Sequence, residues 1–442
     1  MTRNPDHRDP LETLYAHITG EEDARVCKDI PESACRHQPR NFFAYLGANL
    51  LGKVANELAS ARLVLPWLFG ALGIPQAYTG FLVPIREAGV LVPQLAVAAV
   101  IRRLPVRKGV WILGALLTAL ALTAMGTAAW FLEGHAAGAA LLGLLVLYSL
   151  ARGVCSVSAK DVLGKTVSKS RRGTLMGWSA GLSGIAVLGI GLWLGSGALD
   201  DRNTGVLSAL LLVGGLLWVL AAMIFSAIEE QPGATEGGGN ALEVALAQLR
   251  VLAEDRHFRR FVTTRILLLA VALAPPFYVL IAQQHGLALR DLGALVIANG
   301  LAAALASPFW GYLGDRSSRQ VMALAAGGAG LLGLLTWLAV VRDWSWLTGG
   351  WGMAGIFFVL SVMHAGVRLG RKVYLVDMAT VETRATYVAV ANTVIGVAML
   401  FGGLIGILGD RYGASAVVLL LALLSLLAAA QALRLPEVSE PE

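Results

Sequence analysis

The sequence predicts an all-α polytopic membrane protein in which twelve transmembrane helices form two parallel six-helix repeats. Three observations predict this class. The 442 residues are 56% hydrophobic and only 14% charged. Apolar runs of about 18 residues or more, long enough to cross a bilayer, recur between short polar loops. One constant spacing also relates the two halves of the chain. Because the apolar runs do not alternate in polarity, a transmembrane β-barrel is excluded.

The apolar runs divide the chain into twelve predicted spans. Those of the first half are residues 45–72, 79–101, 109–132, 137–157, 174–196 and 204–227. Those of the second half are residues 261–284, 289–311, 321–341, 346–369, 385–408 and 414–434. The first 40 residues are hydrophilic, so we expect no cleavable signal peptide.

Lysine and arginine are concentrated in alternate loops. The concentrated set is Arg102, Arg103, Arg107, Lys108, Lys160, Lys165, Lys169, Arg171, Arg172, Arg316, Arg319, Arg371, Lys372 and Arg384. Loops on the other side hold only Arg202, Arg290, Arg342 and Arg411. By the positive-inside rule, both termini and the central loop are predicted to be cytoplasmic. Membrane topology therefore accounts for the net charge of +6, and no nucleic-acid partner is expected.

A constant offset brings the two halves into register. It aligns residues 158–184 with residues 370–396, where Lys160 falls on Lys372 (372 − 160 = 212). The same offset gives the pairs Lys53 and Arg265, Arg107 and Arg319, Arg172 and Arg384, and Gly184 and Gly396. Agreement at separate places on one register indicates a parallel internal repeat.

Five segments are expected along the chain. They are a cytosolic N-terminal appendage (1–40), a six-helix bundle (41–228), a cytosolic linker with an amphipathic helix (229–258), a second six-helix bundle (259–435) and an acidic cytosolic tail (436–442). The linker opens with the flexible stretch EEQPGATEGGGN. Its apolar stripe, formed by Leu242, Leu246, Leu249 and Ala253, is predicted to lie on the inner membrane surface, with a partner site as the alternative.

The stretch GYLGDRSSRQ, residues 311–320, lies between two predicted spans on the cytoplasmic side. It resembles the G-x-L-x-D-R-x-G-R-K signature of the major facilitator superfamily through Gly311, Leu313, Asp315, Arg316 and Arg319. Ser318 and Gln320 depart from that signature. The resemblance implies a bacterial secondary transporter of the rocker type, with Gly311, Asp315, Arg316 and Arg319 as an inner gate motif. The subfamily is left open.

Other motifs of the superfamily are incomplete. The loop after the second span reads VIRRLPVRKG and has Arg103 where the signature has aspartate. Arg152 in the fourth span is similar to the intramembrane arginine of proton antiporters. In the fifth span, Gly177 and Gly181 resemble the antiporters' G-x-x-x-G-P motif, but Leu182 replaces proline.

The first two predicted spans contain charged residues. Asn49, Lys53, Asn56, Glu57 and Ser60 fall on one side of the first helix. Because an ionised side chain at bilayer depth costs at least about 2.5 kcal/mol, this stripe is expected to face a partner or a water-filled cavity. The resemblance implies that the first helix lines the central cavity. Lys53 could instead pair with Glu57 or extend to the interface, and Arg62 projects opposite the stripe.

Further charges lie in the second, fourth and tenth spans. Arg86 and Glu87 are adjacent, so each needs a partner on another helix, and Glu57 is a candidate for Arg86. His364 is the repeat equivalent of Arg152, and Arg368 lies one turn further on. His364 could titrate or simply pack. The predicted solute or proton site therefore consists of Asn56, Glu57, Arg86, Glu87, Arg152, His364 and Arg368.

These residues predict a secondary active transporter of a small organic solute, working by rocker-switch alternating access. The intramembrane cations outnumber the anions, which favours an anionic or zwitterionic solute. Proton coupling through Glu57 or Glu87 is left open. The alternatives are a non-transporting scaffold or sensor that binds a partner at its N-terminal appendage, and an exporter of amphipathic drugs or lipids.

Several classes and groups are not expected. The chain lacks the nucleotide-binding pattern G-x-x-x-x-G-K-[ST] and shows no nucleophilic constellation, so we predict no enzyme and no cofactor. The three cysteines have no paired spacing, which argues against a metal site and against disulfide bonds. We expect a monomer in the bacterial inner membrane whose partners are lipid, solute and protons.

Overall fold

The computed structural model describes residues 10–19, 30, 35–91, 101, 103–197, 204–233, 249–380 and 383–438. Regular secondary structure in these ranges is helical. Ten helical stretches, two of which combine consecutive helices with short interruptions, are long and apolar enough to cross a membrane. The predicted all-α polytopic class is confirmed.

Helices of the first half run through the appendage and the first bundle. They are α1 (Pro10–Thr19), α2 (Gln38–Leu58), α3 (Val64–Ala71), α4 (Gln76–Gly80), α5 (Leu82–Leu91), α6 (Lys108–Phe131), α7 (Gly134–Thr166), α8 (Lys169–Gly195) and α9 (Thr204–Ser226).

Helices of the second half follow the linker. They are α10 (Val251–Glu254), α11 (Arg256–Leu267), α12 (Leu269–Leu273), α13 (Pro275–Gln284), α14 (Leu289–Arg316), α15 (Ser318–Val341), α16 (Ser345–Thr348), α17 (Gly350–Met378), α18 (Arg384–Gly402), α19 (Ile405–Tyr412) and α20 (Ala414–Leu433).

The first predicted span is not one continuous helix. Helix α2 ends at Leu58, a turn follows, and α3 begins at Val64. Pro66 has no N–H to donate to the carbonyl four residues earlier, so an uninterrupted helix would lose a hydrogen bond at this point. The second predicted span is also divided, into α4 and α5, and its residues 92–100 lie outside the described residues. Neither span is therefore among the ten long helical stretches.

Helices of each half pack mainly against one another. In the first half, α9 lies against α6 and α2, and the rings of Trp111 and Phe225 stack with centroids 3.8 Å apart. In the second half, α15 packs against α20, and α14 packs against α17. Extensive buried apolar side chains fill both bundles.

The two halves contact each other at the end of the bundle that holds the turns 72–75 and 285–288, here called the distal end. Helix α4 meets α19 and α3 meets α13 there. Helices α8 and α14 also approach closely at this end: a Cβ built on Gly293 would lie 2.4 Å from the backbone nitrogen of Gly195. Further along the same helices, a Cβ at Gly181 or Gly300 would have no described atom within 4 Å. Helices α8 and α14 thus separate toward the opposite end, here called the linker end because it holds residues 227–233.

A buried carboxylate organises the linker end of the first half. The side chain of Glu230 is fully buried, and one oxygen accepts hydrogen bonds from the backbone N–H groups of Arg107 at 2.8 Å and Lys108 at 2.6 Å. Its other oxygen lies 2.9 Å from the Lys165 ammonium group. The loop after the second span has Arg103 at the position where the superfamily signature has an aspartate. The carboxylate that caps α6 comes instead from Glu230, in the segment after the sixth span.

Three sequence expectations need correction. Arg371 and Lys372 lie inside α17 and not in a loop, because this helix continues well past the predicted end of its apolar run. Cys35 is in a disulfide bond, so the expectation of no disulfide is wrong, whereas Cys155 is a buried free thiol. In the predicted amphipathic linker helix, Leu242 and Leu246 lie outside the described residues, and the described part is helical only from Val251 to Glu254.

Candidate functional site

A cavity lies between the two halves, and polar side chains from both of them line it. The first half contributes Glu57 and Arg62, and the second contributes Asn299, Ser361, His364 and Arg368. Pro275, Phe357 and Leu360 form part of its apolar wall. The space enclosed by these side chains is about 160 Å³. Three predicted site residues, Glu57, His364 and Arg368, are thus brought together although they come from opposite halves.

Glu57 is the second-last residue of α2, directly before the break in the first span. Its side chain is exposed to the cavity, and its carboxylate interacts electrostatically with Arg62 and Arg86. It forms no ion pair with Lys53 among the described residues. Its neighbour Asn56 accepts a hydrogen bond at Oδ1 from the hydroxyl group of Tyr148, at 2.6 Å. The polar stripe predicted for the first helix therefore faces a cavity and a neighbouring helix.

Arg62 forms an ion pair with Glu87, whereas the sequence predicted a pair between Arg86 and Glu57. Its Nη2 atom lies 3.2 Å from Oε1 of Glu87. A straight helix would place Arg62 opposite the polar stripe, but the turn between α2 and α3 redirects this side chain toward α5. The expected pair of Glu57 with Arg86 is replaced by Arg62 with Glu87, and Glu57 and Arg86 keep only a longer-range attraction.

Arg86 and Arg152 both lie against aromatic rings. The Arg86 guanidinium group is 5.1 Å from the ring centroid of Tyr148, and that of Arg152 is 4.4 Å from the ring of Trp218. The Nε atom of Arg152 is buried and has no hydrogen-bond partner in the described part of the chain. Contacts of this kind stabilise a guanidinium group away from bulk water.

Helix α17 carries several titratable side chains that interact with one another. The charges of Arg368 and Arg371 both act on His364, whose Nε2 atom is buried and has no partner among the described residues. Ser361, on the same helix, donates a hydrogen bond from its hydroxyl group to Oδ1 of Asn299, at 3.1 Å. The tenth span therefore presents a cationic and polar face to the cavity.

The gate motif lies at the linker end, at the junction of α14 and α15. Arg319 pairs with Glu437 at 2.9 Å, and Arg316 donates a hydrogen bond to the hydroxyl group of Tyr312 at 2.6 Å. Asp315 is exposed and forms no ion pair with another described residue, and Gly311 precedes it on the last turns of α14. The gate role of the motif stays a prediction.

Sequence reasoning missed four side chains of this region. Arg371 was assigned to a loop, and Asn299, Ser361 and Tyr148 were not considered. For Arg371 the repeat offset gives an indication in the sequence, because this residue is next to Lys372, which is the repeat equivalent of Lys160. Single polar residues such as Asn299 carry no comparable signal in an apolar run.

The fold matches those of solved membrane transporters. A POT family transporter in complex with a thioalcohol-conjugated peptide aligns with a TM-score of 0.67 and 12% identity, over 91% of this chain and 97% of that one. The nucleoside transporter NupG aligns with a TM-score of 0.66 and 13% identity, over 89% and 99%. The E. coli xylose transporter XylE, in an inward open conformation, aligns with a TM-score of 0.63 and 13% identity, over 90% and 96%.

The sequence model described as Major Facilitator Superfamily matches residues 260–442. This match covers the second half of the chain, and the structural matches place the whole chain in the same fold as these transporters. The matched residues include 311–320, so the match agrees with the resemblance of that stretch to the superfamily signature. No curated protein sequence matches the chain significantly.

Proposed function

We propose that this chain is a member of the major facilitator superfamily and moves a small anionic or zwitterionic organic solute by rocker-switch alternating access. The observation that carries the proposal is the cavity between the halves, to which both halves contribute charged side chains. Closure at the distal end and separation of α8 and α14 toward the linker end describe one of the two states that alternating access requires.

The charges of the cavity support an anionic group on the solute. Arg62 and Arg368 line it, and Arg86 and Arg371 lie close enough to interact with Glu87. A cavity of this sign attracts anions by electrostatic complementarity. We further propose Glu57 as the proton-coupling residue in preference to Glu87, because Glu57 is exposed to the cavity whereas Glu87 is held by Arg62.

We also propose an orientation, a location and an oligomeric state for the protein. Alternate loop charges support cytoplasmic termini and a linker end that faces the cytoplasm. The protein is proposed to be a monomer in the bacterial inner membrane.

Transport into proteoliposomes tests the proposal. Purified protein is reconstituted, and uptake of labelled organic anions, zwitterions and cations is measured with and without an imposed pH gradient. We expect uptake of an anion or zwitterion that the gradient accelerates. Glu57→Gln should lose the acceleration but keep solute exchange, whereas Glu133→Gln, an exposed change in a distal turn, should behave as wild type. No uptake of any solute, or accumulation of cations alone, would contradict the proposal.

Deletion of residues 1–34 separates transport from the scaffold alternative. Helix α1 is docked on the first bundle, where Gln38 donates a hydrogen bond to the hydroxyl group of Tyr15 and Arg171 donates one to the carbonyl group of Thr19. A transporter should keep most of its uptake after the deletion. A scaffold that acts through this appendage would lose its function while folding normally.

A further inference from the structure

Glu87 is an acidic side chain in a strongly cationic environment. Its carboxylate lies 3.2 Å from Arg62, and it also interacts electrostatically with Arg86, Arg368 and Arg371. Two of these arginines belong to the first half and two to the second. The carboxylate of one half is thus attracted to guanidinium groups of both.

The arginines around the cavity outnumber the acids. Five guanidinium groups line it, interact with Glu57 or Glu87, or interact with Arg86, against two carboxylates, an excess of three positive charges (5 − 2 = 3) within this set. The arginines are Arg62, Arg86, Arg152, Arg368 and Arg371, and the acids are Glu57 and Glu87. A monovalent solute would leave two of these charges uncompensated at membrane depth, where uncompensated charge is costly.

Three of the arginines keep their guanidinium N–H groups available for a ligand, as judged from the described residues. Arg86, Arg368 and Arg371 form no ion pair or hydrogen bond with any residue in the described ranges. Arg86 belongs to α5 of the first half, whereas the other two lie on α17 of the second half. Each guanidinium group presents a planar set of donors that matches a carboxylate or phosphate.

We propose that the solute is an organic dianion that bridges Arg86 of the first half and the Arg368 and Arg371 pair of the second. Two carboxylates or one phosphate monoester supply the required charge. Glu87 acts as the resident anion, which holds the arginines when the solute is absent and with which the solute competes. This inference rests on the proposed transport function and specifies the solute class.

A bridging dianion also explains how binding connects to the conformational change. The solute contributes attraction between the two halves at the depth of the cavity, where the separated arginines would otherwise repel one another. A monoanion reaches only one side and cannot do this. Solute valence, more than solute size, is therefore expected to determine affinity.

Thermal unfolding of the detergent-purified full chain tests the inference, because a ligand that binds the folded state raises its unfolding temperature. The probes are succinate and ethyl phosphate as dianions, butyrate as a matched monoanion and succinamide as a matched neutral compound. We expect at least one dianion to give its half-maximal shift at a concentration about tenfold or more below that of butyrate. A shift by succinate alone identifies dicarboxylates, and one by ethyl phosphate alone identifies phosphate monoesters. The inference would be overturned if neither dianion acted at a lower concentration than butyrate, if no probe shifted the unfolding temperature, or if succinamide alone did so.

Substitutions of single arginines test which side chains bind the dianion. Arg371→Gln should weaken dianion binding about tenfold while leaving butyrate binding nearly unchanged, because only the second charge loses its partner. Arg342→Gln, an exposed change in a distal turn, is the control and should bind as wild type. If Arg371→Gln does not fold, Arg371→Lys keeps the charge and should lose only part of the affinity. Equal loss for dianion and monoanion in Arg371→Gln would contradict the bridging geometry.

The same protein in proteoliposomes separates the two proposals. Dianion binding without uptake of any solute means that the transport proposal fails while the dianion site stands. Uptake of monoanions or neutral solutes, without an advantage for dianions, means that transport stands and the dianion inference fails.

Discussion

The carboxylate of Asp410 accepts a hydrogen bond from the backbone N–H group of Gln76 at 2.5 Å, although the two residues belong to opposite halves of the chain. Its second oxygen accepts from the N–H group of Ala77 at 3.2 Å. These N–H groups start α4 and have no partner within their own helix. An acid from the second half thus caps a helix of the first half and joins the halves at the distal end.

Replacing Asp410 should weaken this closure. Asp410→Asn exchanges two charge-assisted hydrogen bonds for at most one neutral bond, a loss of about 1 to 2 kcal/mol. The population open at the distal end should rise by a factor of about 5 to 30. Electron–electron distance measurements between spin labels at Glu133 and Arg342, in a background without native cysteines, would report the longer distances.

The matched control for this change is Asp343→Asn, since Asp343 is also exposed at the distal end but its side chain forms no hydrogen bond or ion pair with the other half in the described part of the chain. An unchanged distance distribution in Asp410→Asn would show that the cap does not hold the halves together.

Close backbone contact between α8 and α14 gives a second prediction. A Cβ on Gly293 would lie 2.4 Å from the backbone nitrogen of Gly195 and 2.5 Å from the carbonyl oxygen of Gly191. Because backbone atoms cannot rotate away, Gly293→Ala should destabilise the state closed at the distal end by about 1 to 3 kcal/mol. The same distance measurement should show the open population increased.

Helix α14 offers its own control for this change. Gly300→Ala adds the same methyl group where no described atom lies within 4 Å, so it should leave the distances unchanged. Equal effects of the two substitutions would attribute the result to helix propensity and not to contact between the halves.

The buried ion pair at the linker end gives a third prediction. Glu230→Ala would leave the Lys165 ammonium group and two N–H groups of α6 without their acceptor, at a cost of about 3 to 5 kcal/mol. We expect a clear drop in the unfolding temperature of the detergent-purified protein. The adjacent change Glu229→Ala removes a partly exposed carboxylate and should lower it much less. An equal drop in the unfolding temperature of the two variants would contradict a larger contribution from the buried Glu230 carboxylate.

Acid dependence is predicted at the start of the second bundle. Asp255 caps α11 by accepting from the N–H groups of His257 at 2.8 Å and Phe258 at 3.0 Å, and Tyr387 donates its hydroxyl proton to the other oxygen. Burial raises the pKa of Asp255, but these hydrogen bonds outweigh it and hold the pKa below its ordinary value of 3.8. A carboxylate with a lowered pKa adds stability above its ordinary pKa, and this contribution is lost as the pH falls through the lowered value.

The measurement is the unfolding temperature of wild type and Asp255→Ala between pH 7 and pH 3. The amount by which the unfolding temperature of Asp255→Ala lies below that of wild type should be constant from pH 7 to about pH 5. It should shrink below about pH 4. Asp315→Ala, at an exposed acid, should show no deficit at any pH. A deficit in Asp255→Ala that stays constant down to pH 3 would mean that shape, and not charge, determines the contribution of this residue.

Much of the architecture could be predicted from the sequence. Long apolar runs specify membrane helices because backbone polar groups must be satisfied inside the bilayer, and the helix is the local way to do so. The same chemistry makes every intramembrane charge conspicuous, so Glu57, His364 and Arg368 could be singled out as candidates before their shared cavity was known. The breaks in the first two spans were not predicted, since their apolar runs continue through the interruptions.

The pairing of the charges was less accessible. A helical wheel assumes a straight helix, and on that assumption Arg62 points away from the polar stripe. The turn before Pro66 rotates it toward Glu87 instead. Arg371 was placed in a loop because its local run is polar, yet α17 extends through it. Both errors come from inferring direction from local pattern where long-range packing sets it.

By itself the sequence determined the membrane class, the internal repeat and the residue types available for a charged cavity, because hydrophobicity and charge act residue by residue. Only the tertiary structure decided which arginine meets which acid, that Asp410 joins the halves through Gln76, and that α8 and α14 touch at one end and separate at the other. Those relationships depend on distances between residues far apart in the chain, and such distances exist only once the two bundles have packed.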